Sequence, residues 1–289
     1  MARRWIGWCA VVLLLVLTFG GPGLAAPPAR RAPPLSLVRG ALLRHIGTDP
    51  VEVGVWSWSA GDSHGRMWIV TIDPARARLG VLPSAAPQPL ARIARPLAGD
   101  FAAINGGFYD EKLLPMGLVV SAGAEHARLR RGGGSGVFFV NARGPGIAHR
   151  DEALLRQPLN EAVQSIDRLV DESEVLVNAR PDLPRDARSA VAIDWRGRVH
   201  LVAAVDDRAI AAEVGGRTQL GPESTTVGPT LWQLADFLAR PVLEGGLGAR
   251  YALNLDGGFS TALEVRLGGE QVSVAGYRGT INALYATPR

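Results

Sequence analysis

Cysteine is almost absent from this chain: the 289 residues include only one, Cys9, which lies in an apolar stretch near the N-terminus. Two arginines precede that stretch and small residues follow it, a pattern typical of a secretory signal peptide cleaved after Ala25. We therefore expect a signal peptide at residues 1–25 and a periplasmic or secreted protein without disulfides or an integral membrane segment, stabilised by its core. An uncleaved anchor is the minority alternative, because the stretch is shorter than the roughly 20 residues of a spanning helix.

Lysine is also nearly absent, and the charges almost balance. Lys112 is the only lysine, and 31 basic against 27 acidic residues give a net charge of +4, which falls to +2 when the two signal-peptide arginines are removed. This balance gives no electrostatic reason to expect a nucleic-acid partner. The five histidines lack the H-x-x-H and H-E-x-x-H spacings, which argues against a zinc site of that type. We expect no cofactor, with a divalent cation left as the alternative.

Helical periodicity is scarce, and strand patterns dominate from residue 35 onward. Turn dipeptides at Arg196-Gly197 and Gly268-Gly269 lie between consecutive apolar runs and predict two hairpins. Residues 26–34 contain only Pro, Ala and Arg, which is typical of a disordered tether. Short apolar runs predict strands at residues 51–58, 67–72, 137–140, 189–195, 198–205, 263–265, 271–274 and 282–285.

Three segments predict helices: a short one at residues 89–97, a weaker one at 166–171 and the clearest at 230–239. In the last, Thr230 and Gln233 form a T-x-x-Q capping box, and the apolar residues that follow share one face. Together these patterns predict a single α+β domain over residues 35–289, built on a mostly antiparallel sheet with a few packed helices.

A repeated motif is the most informative feature of the sequence. The run AINGGF at residues 103–108 recurs, with two residues inserted, as ALNLDGGF at 252–259. Each copy predicts a buried strand ending in a Gly-Gly turn, where the backbone can approach a ligand and its N–H groups can bind an anion. If the two strands are neighbours, both turns form one site. The candidate ligand-binding residues are Asn105, Gly106, Gly107, Asn254, Gly257, Gly258, Ser260 and Thr261.

Asp256, between the second strand and its glycine pair, is the best single candidate for chemistry. A partly desolvated carboxylate at a strand end can act as an acid, a base or a nucleophile. From spacing alone, an Asx-turn in which Asp256 caps its own turn is a slightly better explanation. Ser260 is a poor nucleophile candidate because the G-x-S-x-G elbow lacks its last glycine. Arg188 and Arg278 have the planar guanidinium that binds phosphate, although an arginine taken alone is more often a surface residue.

Five blocks of sequence, in order over about residues 100–286, resemble the phosphodiester glycosidase family. FAAINGGFY at 101–109 and PMGLVVS at 115–121 are similar to the family's AINGGFF motif and the strand after it. RSAVAID at 188–194 and GRVHLV at 197–202 are similar to its R-T-A-x-G hairpin. GPTLWQLADFL at 228–238 resembles the next helix, ALNLDGGFS at 252–260 resembles ALNLDGGGS, and residues 278–285 resemble the closing strand. Two positions depart from the pattern: Phe259 replaces a third glycine, and Gln233 replaces a common glutamate.

The resemblance implies hydrolysis of a sugar-1-phosphodiester between the anomeric carbon and the phosphate, in a glycosyl phosphate or a phosphorylated polysaccharide. Arg188 and Arg278 would stabilise the departing phosphate. Asp256 would be the base for water or the stabiliser of an oxocarbenium-like sugar. Retention and inversion both stay open because the second carboxylate is not identified; Asp110 and Asp194 are candidates.

Two other functions fit the same residues. A non-catalytic module that binds an anionic envelope polysaccharide, as in exopolysaccharide assembly, would use the same turns, and the changes at Phe259 and Gln233 slightly favour it. A metal-dependent phosphodiesterase would instead hold a divalent cation on Asp256.

Overall fold

The computed structural model of the protein describes residues 33–132, 134–180 and 183–289. The predicted signal peptide and residues 26–32 of the predicted tether lie outside these ranges, so the boundaries of both stay predictions. Within the ranges, no helix has the length and apolar character needed to cross a bilayer.

Strands make up most of the described residues, which contain twenty strands and two α-helices. The helices are α1 (Leu90–Ile93) and α2 (Leu231–Ala239). The strands are β1 (Ser36–Thr48), β2 (Val51–Ala60), β3 (Ser63–Ile72), β4 (Ala77–Gln88), β5 (Phe101–Asn105), β6 (Val119–Ser121), β7 (Ala124–Ala127), β8 (Gly136–Asn141), β9 (Gly144–His149), β10 (Glu161–Ser165), β11 (Arg168–Asp171), β12 (Glu174–Val175), β13 (Arg188–Asp194), β14 (Val199–Asp206), β15 (Ile210–Val214), β16 (Arg217–Leu220), β17 (Ala249–Asn254), β18 (Leu263–Leu267), β19 (Glu270–Ala275) and β20 (Thr280–Pro288).

The strands form three sheets. The eight-stranded sheet has the order β1-β2-β3-β14-β13-β17-β11-β12, the seven-stranded sheet β15-β16-β19-β18-β5-β20-β4, and the five-stranded sheet β7-β6-β10-β8-β9. Among the described strands, β16 and β19 are the parallel pair, and the other pairs are antiparallel. The two predicted hairpins are confirmed as β13–β14 and β18–β19.

The prediction of an α+β domain is wrong, because the fold is mostly β with three sheets rather than one sheet covered by helices. Helix α1 has only four residues. The segment predicted as a weak helix at 166–171 forms strand β11, in which Leu169 and Val170 are both buried. A short apolar run buried on both sides does not distinguish strand from helix by its periodicity, which explains this error.

The eight- and seven-stranded sheets pack face to face around the largest core. Val70 and Leu201 of the first sheet meet Ile104 and Val265 of the second in one buried cluster. Full burial of each such side chain stabilises the fold by about 1.5–3 kcal/mol, so this packing fixes the two sheets against each other. The repeated motif supplies one strand to each sheet: β5 ends at Asn105, and β17 ends at Asn254.

Helix α2 packs on the other face of the eight-stranded sheet and begins as predicted. The side chain of Thr230 accepts a hydrogen bond from Gln233 N (3.2 Å), and Gln233 Oε1 accepts one from Thr230 N (2.9 Å), which confirms the capping box. Gln233 Nε2 also donates to the carbonyl oxygen of Pro33 (2.7 Å). The side chain of Gln233 is thus fully used in capping the helix and anchoring the start of the described chain.

The capping box generates a stability prediction. Thr230→Ala removes the acceptor for a buried N–H group and should lower the free energy of unfolding by about 1 kcal/mol. Urea unfolding followed by circular dichroism measures the loss, with Thr48→Ala at an exposed strand position as the matched control. A loss no larger than that of the control would contradict the capping role.

Candidate active site

The two glycine turns of the repeated motif lie against each other. Asn105 Nδ2 donates a hydrogen bond to the carbonyl oxygen of Asp256 (2.5 Å), and Asp256 N donates one to the carbonyl oxygen of Gly106 (2.9 Å). Because β5 and β17 belong to facing sheets, these bonds join the sheets where both strands end. The contact expected between the turns is therefore present.

The side chain of Asn105 joins the turns and has little capacity left for a ligand. Its Oδ1 accepts hydrogen bonds from Ser189 Oγ (2.7 Å) and from Ala262 N (3.0 Å), while its Nδ2 binds the second turn. The residue is fully buried. Asn105 therefore holds the site together from within.

Glycine is required at both positions of the first pair, because neighbouring backbone and side-chain atoms leave no room for a Cβ. A Cβ on Gly106 would lie 1.9 Å from Asn282 Oδ1, and one on Gly107 would lie 2.4 Å from the carbonyl oxygen of Gln164. Gly106 N donates to the carbonyl oxygen of Asn282 (2.8 Å), and Gly107 N donates to Asn282 Oδ1 (2.8 Å). These N–H groups hold the turn and are already engaged within the protein.

The second glycine pair is held by the residues that precede β13. Gly258 has a φ of +55°, which L side chains rarely adopt, and its N–H donates to the carbonyl oxygen of Ala187 (2.8 Å). The N–H of Gly257 donates to the carboxylate of Asp256. Asp256 therefore binds the first N–H group of its own turn, which fixes the orientation of its carboxylate. The Asx-turn considered from the spacing would need the N–H of Gly258, and that group is bound to Ala187 instead.

Asp256 is buried, and its pKa lies above the ordinary value of an aspartate. Only 9% of its surface is exposed. Burial raises its pKa to about 6, although hydrogen bonds from the side chain of Ser260 and the N–H of Gly257 oppose the increase. A carboxyl group with a pKa close to the working pH is suited to general acid–base catalysis. The geometry therefore supports Asp256 as the chemical centre of the site.

Arg188 begins the strand that pairs with the strand before Asp256. Ala190 of β13 pairs with Asn254 of β17, and Leu255 N donates to the carbonyl oxygen of Ser189 (2.9 Å). The register then shifts, because Gly258 N donates to the carbonyl oxygen of Ala187. The backbone of the second turn nevertheless approaches Arg188: a Cβ on Gly257 would lie 3.9 Å from the Cα of Arg188.

The guanidinium of Arg188 is already occupied by protein groups. Its Nη2 lies 2.9 Å from Asp186 Oδ2 and donates to the carbonyl oxygen of Pro184 (2.7 Å), while its Nε donates to that of Pro229 (3.2 Å). Burial lowers the pKa of Arg188, and the charges of Asp186 and Asp167 oppose this effect. Arg188 therefore serves first as the cation between Asp186, which is half-buried, and Asp167, which is exposed.

Asp167 and Asp186 are the site residues that sequence reasoning missed. Burial raises the pKa of both carboxyl groups, and Arg188 opposes the increase. Asp186 is two residues before Arg188, which was a usable signal, and Asp167 has a φ of +60° in the turn that leads into β11. Within the described part of the chain, no three His, Cys, Asp or Glu side chains are grouped in a way that could hold a metal ion.

The two candidates for a second carboxylate have structural roles elsewhere. Asp194 accepts hydrogen bonds from the side chains of Arg198 (2.8 Å) and His200 (3.3 Å), and these bonds hold its pKa below the usual range despite burial. It lies at the opposite end of β13 from Arg188, about 20 Å away at the rise of a strand. Asp110 accepts from the N–H groups of Lys112 and Leu114 (3.0 Å each) and closes its own turn.

Arg278 is held at the second turn by the ring of Phe259. The guanidinium Cζ of Arg278 lies 4.6 Å from the centre of that ring, and the backbone N–H of Arg278 donates a hydrogen bond to the carbonyl oxygen of Phe259 (2.8 Å). The ring of Tyr277 lies 5.3 Å from the same ring at 43°. The side chain of Arg278 is exposed and has no carboxylate partner among the described residues. It is thus the cation at the turns that is accessible to an anionic ligand.

Several buried polar atoms around the turns have no hydrogen-bond partner among the described residues. They are Asn254 Oδ1, Thr261 Oγ1, Ser165 Oγ and Ser224 Oγ. Asn254 and Thr261 flank the second turn, and the carbonyl oxygen of Ser224 accepts from Ala187 N (2.8 Å), next to the residue that holds Gly258. Buried polar atoms normally have partners, so unpartnered ones point to ordered water or a ligand.

Comparison with known proteins places these features in a known family. Residues 98–286 match the family model described as phosphodiester glycosidase. The fold is similar to the catalytic domain of zebrafish N-acetylglucosamine-1-phosphodiester alpha-N-acetylglucosaminidase, auto-inhibited by its pro-peptide, with a TM-score of 0.60 and 18% identity over 89% of each chain. It is also similar to a hypothetical protein from Synechocystis, with a TM-score of 0.54 and 18% identity over 89% of this chain and 64% of that one. No curated protein sequence matches the chain.

The burial of Asp256 generates a prediction about stability and pH. Its pKa is raised in the folded protein, so the folded state is favoured most when Asp256 is protonated, and stability falls as the pH rises from about 4 through about 6. The difference between a pKa of about 6 and the ordinary value of 3.8 corresponds to about 3 kcal/mol. Asp256→Asn should therefore be more stable than the wild type at pH about 7.5, by up to about 3 kcal/mol, and close to it at pH about 4.

Urea unfolding at both pH values measures this difference. Asp62→Asn, at an exposed position, is the control and should match the wild type at each pH. An Asp256→Asn protein that is less stable than the wild type at the higher pH would contradict the prediction.

Proposed function

The chain belongs to the phosphodiester glycosidase family, and from that premise we propose that it hydrolyses the bond between the anomeric carbon of a sugar and a phosphodiester. Family membership confirms the resemblance read from the five ordered motifs and supports a glycosidase-type hydrolase. The observation that carries the proposal is the position of Asp256: a buried carboxylate with a pKa of about 6, fixed where the two family motifs touch.

We assign to Asp256 the role of base for the attacking water. Water attacks the anomeric carbon, the bond from that carbon to the phosphate oxygen breaks, and the oxygen keeps the electron pair as a phosphate monoester leaves. The proton of the water passes to Asp256. The leaving group needs little general acid, because a phosphate monoester is already a stable anion. We propose that positive charge developing on the sugar is stabilised by the buried carboxylate of Asp256, with those of Asp186, which is half-buried, and Asp167, which is exposed, beside Arg188.

The two arginines have different proposed roles. Arg278 is exposed beside the second turn and has no carboxylate partner among the described residues, so we assign it to the phosphate. Arg188 is paired with Asp186 and surrounded by carbonyl oxygens. We therefore assign it to holding Asp186 and Asp167 in place, where its charge opposes the increase that burial causes in the pKa of each carboxyl group.

The signal-like N-terminal sequence supports export, and we propose a periplasmic or secreted enzyme. The substrate class is a glycosyl phosphate or a phosphorylated envelope polysaccharide. This proposal draws on the zebrafish protein, which is described as acting on an N-acetylglucosamine-1-phosphodiester.

The direct test is turnover of aryl sugar-1-phosphate diesters by protein lacking the N-terminal segment. The wild type should release the aryl phosphate, and Asp256→Asn should lower kcat/KM by about 10²- to 10⁴-fold. Asp62→Asn is the matched control and should retain activity. Equal background rates in wild type and Asp256→Asn, together with binding of anionic polysaccharide, would indicate a binding module instead. Loss of activity in EDTA that a divalent cation restores would indicate the metal-dependent alternative.

The pKa of Asp256 also predicts the pH profile. A base acts in its ionised form, so kcat/KM should rise through an apparent pKa of about 6 and level off above it. Initial rates between pH about 4.5 and 8.5, with folding checked at each pH by circular dichroism, measure the profile. An activity that falls as the pH rises through this range would instead assign Asp256 as a general acid.

The stacking of Arg278 on Phe259 provides a second kinetic prediction with a matched control. Arg278→Ala should lower kcat/KM for the anionic diester by about 10- to 100-fold, because a charge-assisted contact with the phosphate is lost. Arg266 is also exposed and stacked on an aromatic ring, with its Cζ 4.9 Å from the centre of Phe101. Arg266→Ala should therefore leave kcat/KM within about twofold of the wild-type value. Equal losses of kcat/KM in both variants would contradict the role of Arg278.

A further inference from the structure

A cleft on the outer face of the seven-stranded sheet has the chemistry of a carbohydrate site. This outer cleft has a volume of about 760 Å³ and runs beside α1 and the β15–β16 hairpin. We propose that the outer cleft binds a neutral segment of a glycan chain. The binding itself is independent of the proposed hydrolysis.

A buried carboxylate forms the floor of the outer cleft. Glu264 is only 7% exposed, and the one hydrogen bond to its side chain among the described residues comes from Gln271 Nε2 at 3.4 Å. A carboxylate can accept about four hydrogen bonds, and a buried one is unfavourable until donors satisfy it. Glu264 therefore has acceptor capacity for a ligand that carries several O–H groups.

The charge and shape around Glu264 favour a neutral polyhydroxylated ligand over a cation. Gln271 Oε1 accepts a hydrogen bond from Arg217 (3.0 Å), so the amide of Gln271 links the guanidinium to the carboxylate and the local charge is balanced. Thr218, Ser273 and Gln219 add hydroxyl and amide groups to the lining. The rest of the lining is mostly small, with Ala91, Ala212, Gly215 and Ala275. Sugar rings need hydrogen-bonding groups around an open floor of this type.

One end of the outer cleft adjoins the candidate active site. Gln219 Nε2 donates to the carbonyl oxygen of Ala275 (3.2 Å), and the next residues of the chain, Gly276 to Arg278, pack on Phe259. Tyr277 is 54% exposed there and offers a ring on which a sugar can stack. If the proposed function holds, the bound segment is the continuation of the glycan whose phosphodiester lies at Arg278.

Calorimetry with linear hexose and N-acetylhexosamine tetrasaccharides tests the proposal. The Asp256→Asn protein is titrated, so that no hydrolysis contributes heat. At least one tetrasaccharide should bind, and adding Glu264→Gln should weaken its affinity by about tenfold. Adding Ala212→Trp, which fills the cleft from an exposed strand position, should abolish binding, whereas Ala211→Trp on the neighbouring residue should not. Ala212→Trp tests the proposal by blocking the cleft, so the experiment remains decisive if Glu264→Gln fails to fold.

The outcomes separate this proposal from the proposed hydrolysis. The proposal of a carbohydrate-binding cleft would be overturned if no tetrasaccharide binds, or if Glu264→Gln and Ala212→Trp both leave the affinity unchanged. This holds even if the wild type hydrolyses aryl diesters. Binding that depends on Glu264 and Ala212, together with no turnover of aryl diesters by the wild-type protein, would support the cleft and remove the catalytic proposal alone.

Discussion

The buried side-chain amide of Asn105 is the interaction on which the site depends. It accepts from Ser189 of the eight-stranded sheet and from Ala262 at the start of β18, and it donates to the backbone of Asp256. The bonds to Ser189 and Asp256 cross between the two sheets, and the bond from Ala262 stays within the seven-stranded sheet. Loss of the amide would leave several buried polar groups unpaired, at about 1–3 kcal/mol each. The amide therefore fixes the position of Asp256 through its main chain and leaves the carboxylate itself for chemistry.

This arrangement separates scaffolding from ligand recognition. The N–H groups of Gly106 and Gly107 bind Asn282, and that of Gly258 binds Ala187, so the glycines bring the backbones together and do not form an open anion site. An anionic ligand would therefore have to be bound by side chains and not by these backbone N–H groups. The burial that raises the pKa of Asp256 also destabilises the folded state at neutral pH. A protein keeps such an unfavourable group where activity requires it.

Local features of this fold could be predicted from the sequence, whereas the pairing between distant segments could not. The hairpins, the capping box and the two glycine turns depend on residues within a few positions of one another. Asp186 is two residues before Arg188 in the sequence, but Asp167 reaches Arg188 only because β11, β13 and β17 are neighbours in one sheet. The sequence of residues 166–171 does not even predict a strand, because burial on both faces removes the alternation of apolar and polar residues that marks one. It therefore cannot indicate which strands lie next to it. The same limit explains why one sheet with helices was expected where two sheets pack together.

Phe259 shows how a departure from the family motif changes the site without removing its core. A third glycine in this position would leave Arg278 without a ring to stack on, whereas Phe259 holds its guanidinium at 4.6 Å and packs against Tyr277. The loop that carries both residues fits over the turn because residue 276 is a glycine: a Cβ there would lie 2.6 Å from the carbonyl oxygen of Phe259. Gln233, the other departure, is used entirely in the helix cap. The change at Phe259 therefore acts on the surface to which we assign the phosphate, and under that proposal differences in specificity within this family should arise at this loop before they arise at Asp256.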